Sequence, residues 1–366
     1  MKKFVLLIVA VCSLSAVQAQ DSTAVSAPAA SGFKLGSWMQ KNRVFQNLDI
    51  SVTAGTPGIG IDVASKVGDY VQLRVGYEFM PRVNMSIYFP VEVGGQAARL
   101  YDADGNRIES RFDKLSKALT EVTGFQVEDE VEMVGKPTIN NFKFLVDVFP
   151  FRQNKHWHFT AGFYWGPSQF AYAENSTQAM TSLLAVGMYN QLHYKVVNNL
   201  PVYDDTTPEI LLEKKPQFVE YGRMGFPLGQ YTHDVYGYYP RTEYGKYGVV
   251  IHEEGEYGLL YSAGDTYRME PDSDGMVKVY AKSNPFKPYL GFGYGGRLYK
   301  NRDDWKVSFD CGAMFWGGTP DLFTHDGTNL TKDVENISGK AGDWVDLLGG
   351  IKVYPVLSVR FTKTIF

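Results

Sequence analysis

The sequence predicts an all-β chain: about ten antiparallel strands (range eight to twelve) meandering up and down and closed into a membrane-spanning barrel. Three observations predict it. Segment after segment alternates apolar and polar residues with period two, the pattern of a strand with one face in an apolar medium. Aromatics gather near the ends of those segments (Trp157, Trp165, Trp305, Phe315, Trp316), where an interfacial girdle requires them. Beyond the N-terminus no apolar run approaches the ~20 residues of a membrane helix. A membrane protein without such a run must satisfy its backbone by closing strands on themselves.

The elements follow in order. Residues 1–19 read as a signal peptide: basic Lys2 and Lys3, an apolar stretch from Phe4 to Val11, and the small-residue cleavage site Val17-Gln18-Ala19. Losing Lys2, Lys3 and Cys12 with that segment takes the net charge from −4 to −6 and leaves Cys311 as the single cysteine. An intramolecular disulfide is thereby excluded, and a single cysteine argues against a Cys-ligated metal site. The acidic balance argues against nucleic acid as a partner. Residues 20–47 form a flexible leader of small and polar residues. From 48 to 366 the chain reads as one barrel domain with insertions at 94–136 and 167–274.

Ten strands are expected, at 48–54, 58–66, 69–80, 82–93, 138–149, 156–165, 275–283, 286–298, 305–316 and 352–366. Bacterial single-chain barrels are normally even in number, so either Gly55 to Gly58 is a true turn or the insert near Tyr247 to Tyr261 supplies another strand. Ten strands, however, place long connections at both ends of the barrel. On the faces opposite the apolar stripes stand Asp62, Arg74, Glu78, Glu92, Lys143, Asp147, Lys306, Asp310 and Arg360, a mixed set of candidate lumen charges. In a narrow bore such charges should pair, because an unpaired buried charge is costly. Two amphipathic helices are expected within the insertions, one with a stripe of Phe112, Leu115, Leu119 and Val122. The other, at about Ser176 to Leu192, carries Met180, Leu183, Leu184 and Met188.

The chain from Tyr354 to the terminal Phe366 resembles the C-terminal strand of Gram-negative outer-membrane barrels. Ala54-Gly55-Thr56-Pro57-Gly58-Ile59-Gly60-Ile61-Asp62, Pro288 to Gly295 and Asp310 to Phe315 are similar to a family of small, largely uncharacterised outer-membrane barrels. The match spans about 48–80, 138–166 and 276–366, and the two insertions depart from it. The resemblance implies an outer-membrane location, contact with outer-membrane lipid, and reading of Phe366 by the barrel-assembly machinery. It implies no activity.

No catalytic, cofactor-binding or metal-binding set emerges. Asp102-Ala103-Asp104-Gly105-Asn106 has Arg107 where a calcium loop needs glycine, so it reads as a turn, as does Asp272 to Gly275. His233-Asp234 and His325-Asp326 are sequence neighbours, which point apart on a strand. No Gly-x-Ser-x-Gly elbow is present. His156 and His158 share a face and read as polar residues at a strand end. Residues 219–267 are crowded with tyrosines, among them Tyr231, Tyr236, Tyr238 and Tyr239, whose rigid rings with polar tips suit a glycan or protein ligand and equally suit girdle and loop packing. The expectation is a structural or recognition barrel acting through its long loops, with no cofactor. A narrow channel for small solutes is the alternative, and a membrane-embedded lipid or peptide hydrolase a more distant one.

Overall fold

The computed structural model describes residues 47–366, apart from 125, 152, 201–212, 240–242, 245–249 and 338. The expected signal peptide, and the leader up to residue 46, lie outside the described residues. The first strands are β1 (Asp49–Gly55), β2 (Gly58–Val67), β3 (Val71–Phe79) and β4 (Met85–Pro90), followed by helix α1 (Arg111–Thr123). Next come β5 (Glu130–Pro137), β6 (Asn140–Val148), β7 (Trp157–Trp165), β8 (Gln169–Asn175), α2 (Thr177–Val197) and α3 (Lys215–Tyr221). A third group holds β9 (Met224–Tyr231), β10 (Val235–Tyr238), β11 (Tyr257–Tyr261) and β12 (Thr266–Met269). The chain closes with β13 (Lys278–Lys282), β14 (Phe286–Tyr299), β15 (Arg302–Phe315), β16 (Asp321–Thr324), α4 (Gly339–Gly350) and β17 (Val353–Thr364).

Eight of these strands, in the order β1-β2-β3-β6-β7-β14-β15-β17, form a closed antiparallel barrel, with β17 pairing back onto β1 (Thr53 opposite Arg360). The strand number is therefore eight, at the lower end of the expected range. Thr56-Pro57 is a true two-residue turn, with Gly55 paired to Gly58. Gly58 has φ +124°, open only to glycine without strain. Outward residues such as Ile61, Tyr77, Phe159, Leu290, Phe309 and Leu357 are large, apolar and exposed. Around a closed barrel they form the apolar belt of an outer-membrane protein. Among the described residues no helix is long and apolar enough to cross a membrane.

Two of the expected spanning strands, 82–93 and 275–283, do not belong to the barrel. They contain β4 and β13, which join a second sheet in the order β16-β13-β8-β5-β4. Each strand of that sheet continues a barrel strand after a short break: β4 follows β3, β5 precedes β6, β8 follows β7, β13 precedes β14 and β16 follows β15. Their neighbour order repeats that of the barrel, so the second sheet is an upper storey built on five of its eight walls. The barrel strands β17, β1 and β2 have no such continuation.

This arrangement removes the conflict over loops. Residues 91–129, 176–277 and 325–352 all leave and return at the storeyed end, whereas the other end carries only 68–70, 149–156 and 300–301. Alternation alone cannot tell a membrane strand from an extramembrane one, because both have one apolar face. The strands β5 and β8, inside the expected insertions, likewise pair with each other in the upper storey (Ala173 opposite Gly135).

Above the storey a small sheet of β9 and β12 packs on α2, and Val93, Phe112, Leu183, Val186, Met224, Phe226 and Tyr267 belong to their shared core. Helix α2 starts where Ser176 caps it by accepting from the Ala179 N–H. Its buried stripe is Ala179, Leu183, Val186 and Tyr189, rotated from the expected one: Leu184 and Met188 are exposed. Val122 of α1 is likewise exposed, while Phe112 and Leu115 are buried.

Candidate functional site

The bore comes first because it decides whether anything passes. Inward positions carry Asp62, Arg74, Glu78, Lys143, Asp147, Asp310 and Arg360, all buried. Arg74 meets Asp147 at 2.9 Å and Asp310 at 3.8 Å, and Arg360 meets Asp147 at 3.3 Å and Asp310 at 3.4 Å. Arg74 on β3 and Asp310 on β15 lie four strands apart in a ring of eight, as do Asp147 on β6 and Arg360 on β17. These contacts therefore cross the bore rather than run along its wall. His158 adds a 2.6 Å hydrogen bond to Asp310, and Thr160 donates to Asp147. Nearer the head, Lys143 bridges Asp62 (2.9 Å) and Glu78 (3.4 Å), while Thr53 donates to Asp62.

Glycines make room for this network. A Cβ on Gly76 would collide with the Asp62 carboxylate, and one on Gly293 with both Asp310 and His158. Gly291 and Gly312 likewise leave space for the Tyr289 hydroxyl. The inward glycines of the alternating strands are thus the counterpart of the inward charges. Lys306 is half-buried toward the far end of the bore, within 3.3 Å of the Thr364 hydroxyl. Glu92 is a correction: it sits in a short strand of the head paired with Gly225, because the chain leaves the barrel after Phe79.

Trp316 is a second correction. Expected in the interfacial girdle, it is buried at the neck between bore and head, stacked on Tyr354 (5.4 Å) and against Phe170 (4.6 Å). Trp316 is the first residue after β15 and keeps the inward register of Asp310, Gly312 and Met314, so it faces the interior rather than the lipid.

Above this aromatic neck lies a cavity of about 220 Å³. Its walls are the concave face of the upper storey, including Ile87, Met133, Ala173, Val279, Ala281 and Leu322. The roof is Phe226, Leu228 and Met269 from β9 and β12, and α4 adds Ala341, Trp344, Val345 and Leu348. Odd-numbered residues of β5 line it, just as odd-numbered residues of β6 line the bore. The inner face of the barrel therefore continues upward, but its chemistry changes from charged to almost wholly hydrocarbon. Lys136 is the one charged residue of the lining; its ammonium bonds Glu174 at 2.6 Å, which holds its pKa above the ordinary value. Nothing in the sequence pattern marks this cavity, because each of its strands looks like any half-buried strand.

The tyrosine cluster divides in two. Tyr231 and Tyr239 are buried: Tyr231 stacks on Tyr261 at 4.8 Å, and Tyr239 stacks on His252 at 4.2 Å and donates to the Leu259 carbonyl. These two are corrected as ligand contacts, since packing already occupies their faces. Tyr236 and Tyr238 remain outward, 57% and 69% exposed, on the β10–β11 hairpin. There Tyr238 meets Tyr257 edge to face at 5.2 Å. His156 is exposed and its ring bonds the Gly295 carbonyl, apart from the buried His158. Asp102 and Asp272 accept the backbone N–H groups of Asn106 and Met276, the geometry of turns. Among the described residues no cluster of three metal-ligating side chains occurs.

No protein-family model matches the chain. No curated protein matches it either. Among solved structures it is similar to Acinetobacter baumannii CarO2, at 12% identity and TM-score 0.36, over 88% of this chain and 100% of that one. Acinetobacter baumannii CarO is similar at 14% identity and TM-score 0.34, over 87% and 97%. A major outer membrane protein from Thermus thermophilus is similar at 10% identity and TM-score 0.22, over 87% and 98%. Likeness at this level adds nothing to what the chain's own strands establish: an outer-membrane barrel of eight strands, bridged across its bore and carrying a hollow apolar head.

Proposed function

We propose that this protein is a recognition barrel whose bore is closed and whose head receives an apolar ligand, with the barrel serving as anchor and platform. A head outside the cell is the reading that short turns at one end and long insertions at the other support, by the usual asymmetry of such barrels. The observation that carries the reading is the hydrocarbon-lined cavity under β9, β12 and α4. Its apolar lining, left unfilled by side chains, is stabilised by covering with an apolar ligand at about 25 cal/mol per Å² removed from water. Ligand sites commonly look like this one: concave, mostly apolar and pre-formed.

The test is binding of N-phenyl-1-naphthylamine to the detergent-solubilised protein. Fluorescence enhancement is expected in the wild type and is lost in Ala173→Phe, which fills the cavity. Absence of enhancement, or enhancement unaffected by the substitution, would sink the reading.

A glycan or protein ligand is a second reading, favoured by one observation: Tyr236, Tyr238 and Tyr257 are exposed together on one side of the hairpin. Serine at Tyr236 and Tyr238 then abolishes attachment of the protein to glycan arrays or host-protein arrays; unchanged attachment, or none by the wild type, excludes it. A solute channel is disfavoured by the cross-bore ion pairs, and Phe366 remains the proposed mark for the assembly machinery.

A further inference from the structure

The cavity's walls indicate how a ligand enters. The strands β16, β13, β8, β5 and β4 are hydrogen-bonded in sequence, so nothing passes between them. The two edges of that sheet, β4 and β16, do not pair with each other, and the open side lies above β17, β1 and β2, the barrel strands that have no continuation. Helix α4 crosses this side: Lys340 in its first turn donates to the Tyr88 carbonyl of β4, and its last residues lead directly into β17. At the seam between α4 and β4 stands this lysine contact, where the walls proper have a hydrogen-bonded ladder.

Beside that seam, exposed apolar side chains continue upward from the lipid belt. Phe79 ends the outward face of β3, and Val83 and Met85 follow it at 54% and 48% exposure. On the other side stand Leu347 of α4, 56% exposed, and Val353, which begins the outward face of β17. Met85 belongs both to this exposed strip and to the cavity lining. Exposed apolar side chains therefore run from the acyl region of the membrane, past the rim of β3 and β17, to Met85 at the cavity, with the charged Arg82, Lys340 and Lys352 beside them at the level of a lipid headgroup.

We propose that the occupant of the cavity is one acyl chain of a lipid of the adjacent membrane leaflet, entering sideways through the seam between β4 and α4, with bilayer phospholipid as its probe. The proposal rests on the apolar-ligand reading above and adds the source and route of the ligand. The cavity is larger than the 150 Å³ engineered space that takes benzene, and below the ~300 Å³ at which drug-sized pockets begin. An unbranched hydrocarbon chain matches that size and a lining without polar partners. Attached to a headgroup held at the bilayer surface, such a chain needs only to bend upward into the head.

Trp344 lines the cavity from α4 and reports on its contents. The protein is reconstituted in bilayers of phospholipid brominated midway along its acyl chains, and Trp344 emission is taken as the difference between wild type and Trp344→Phe. Most of that emission is expected to be lost relative to unbrominated bilayers, and to be recovered in Ala173→Phe. Ala281→Phe, on a different wall strand, should behave alike and stands in if the first variant loses its heat-modifiable fold. Equal Trp344 emission in brominated and plain bilayers overturns the proposal. So does quenching that persists in both filled variants, which reports contact at the surface alone. Quenching by a brominated free fatty acid added from water, without quenching by the phospholipid, overturns the sideways route. If naphthylamine still binds and Ala173→Phe still blocks it, the apolar-ligand reading survives these failures; if neither probe responds, both fall.

Discussion

Asp147 receives Arg74 on one side, Arg360 on the other and the Thr160 hydroxyl between them, with no exposure to solvent. A buried carboxylate of this kind adds little net stability as a pair member, since desolvation offsets the attraction. Its removal is another matter, because it strands the partner charges. Asp147→Ala is therefore expected to cost about 3–5 kcal/mol, leaving two guanidiniums to share Asp310. The urea midpoint of the heat-modifiable form measures it. The triple replacement Arg74→Met, Asp147→Leu, Arg360→Met should be milder than the single one. An Asp147→Ala protein as stable as wild type would show that water, rather than the ion pairs, fills the bore. By contrast Lys117→Ala, at an exposed pair with Glu109 on α1, should stay within about 1 kcal/mol of wild type.

Among the elements, β17 is the one on which closure depends. It pairs with β15 on one side and β1 on the other, and the Phe366 carbonyl accepts from the Leu48 N–H. The Phe366 side chain itself is exposed and makes no part of the core. Its deletion is thus expected to leave the stability of the folded barrel nearly unchanged while lowering the yield of heat-modifiable protein in cells. Equal yield of the deletion variant in the membrane fraction would remove the assembly role. Helix α2 teaches a related lesson about stripes: Leu183 belongs to both the expected and the observed face, but packing selects Val186 and Tyr189 beyond it over Leu184 and Met188. Hydrophobicity along a helix proposes a face, and neighbouring elements select it. Roof strands β9 and β12 cover the side that α2 buries.

For the whole molecule, the arrangement of strands sets what it can conduct. Eight strands give an interior that side chains just fill, whereas aqueous porins need ~16 or more. With Arg74–Asp310 and Asp147–Arg360 joining opposite walls, and Trp316, Tyr354 and Phe170 above them, purified protein in planar bilayers is expected to give no stable porin-like conductance. Stable openings of porin size would overturn the closed bore.

The eight barrel strands, the inward charges Arg74, Asp147, Asp310 and Arg360 and the closing strand before Phe366 were legible from the sequence, whereas β5 and β8 lay unread inside the insertions. Alternation with period two is a local property, set by which side of each residue meets lipid or bore. The destinations of 82–93 and 275–283, of Glu92, of Trp316 and of Tyr231 and Tyr239 were not. For the two strands and Glu92 a short break resets which way the chain runs, while Trp316 keeps the inward register of β15. What each residue pairs or packs against comes from elsewhere in the chain, as Gly225 does for Glu92 and Phe170 for Trp316. The hydrocarbon-lined cavity belongs to this second group. It exists because five strands outgrow the barrel, three do not, and α4 crosses the gap. A strand facing such a cavity alternates like one facing lipid, so only the tertiary arrangement separates the wall of a membrane anchor from the wall of a ligand site.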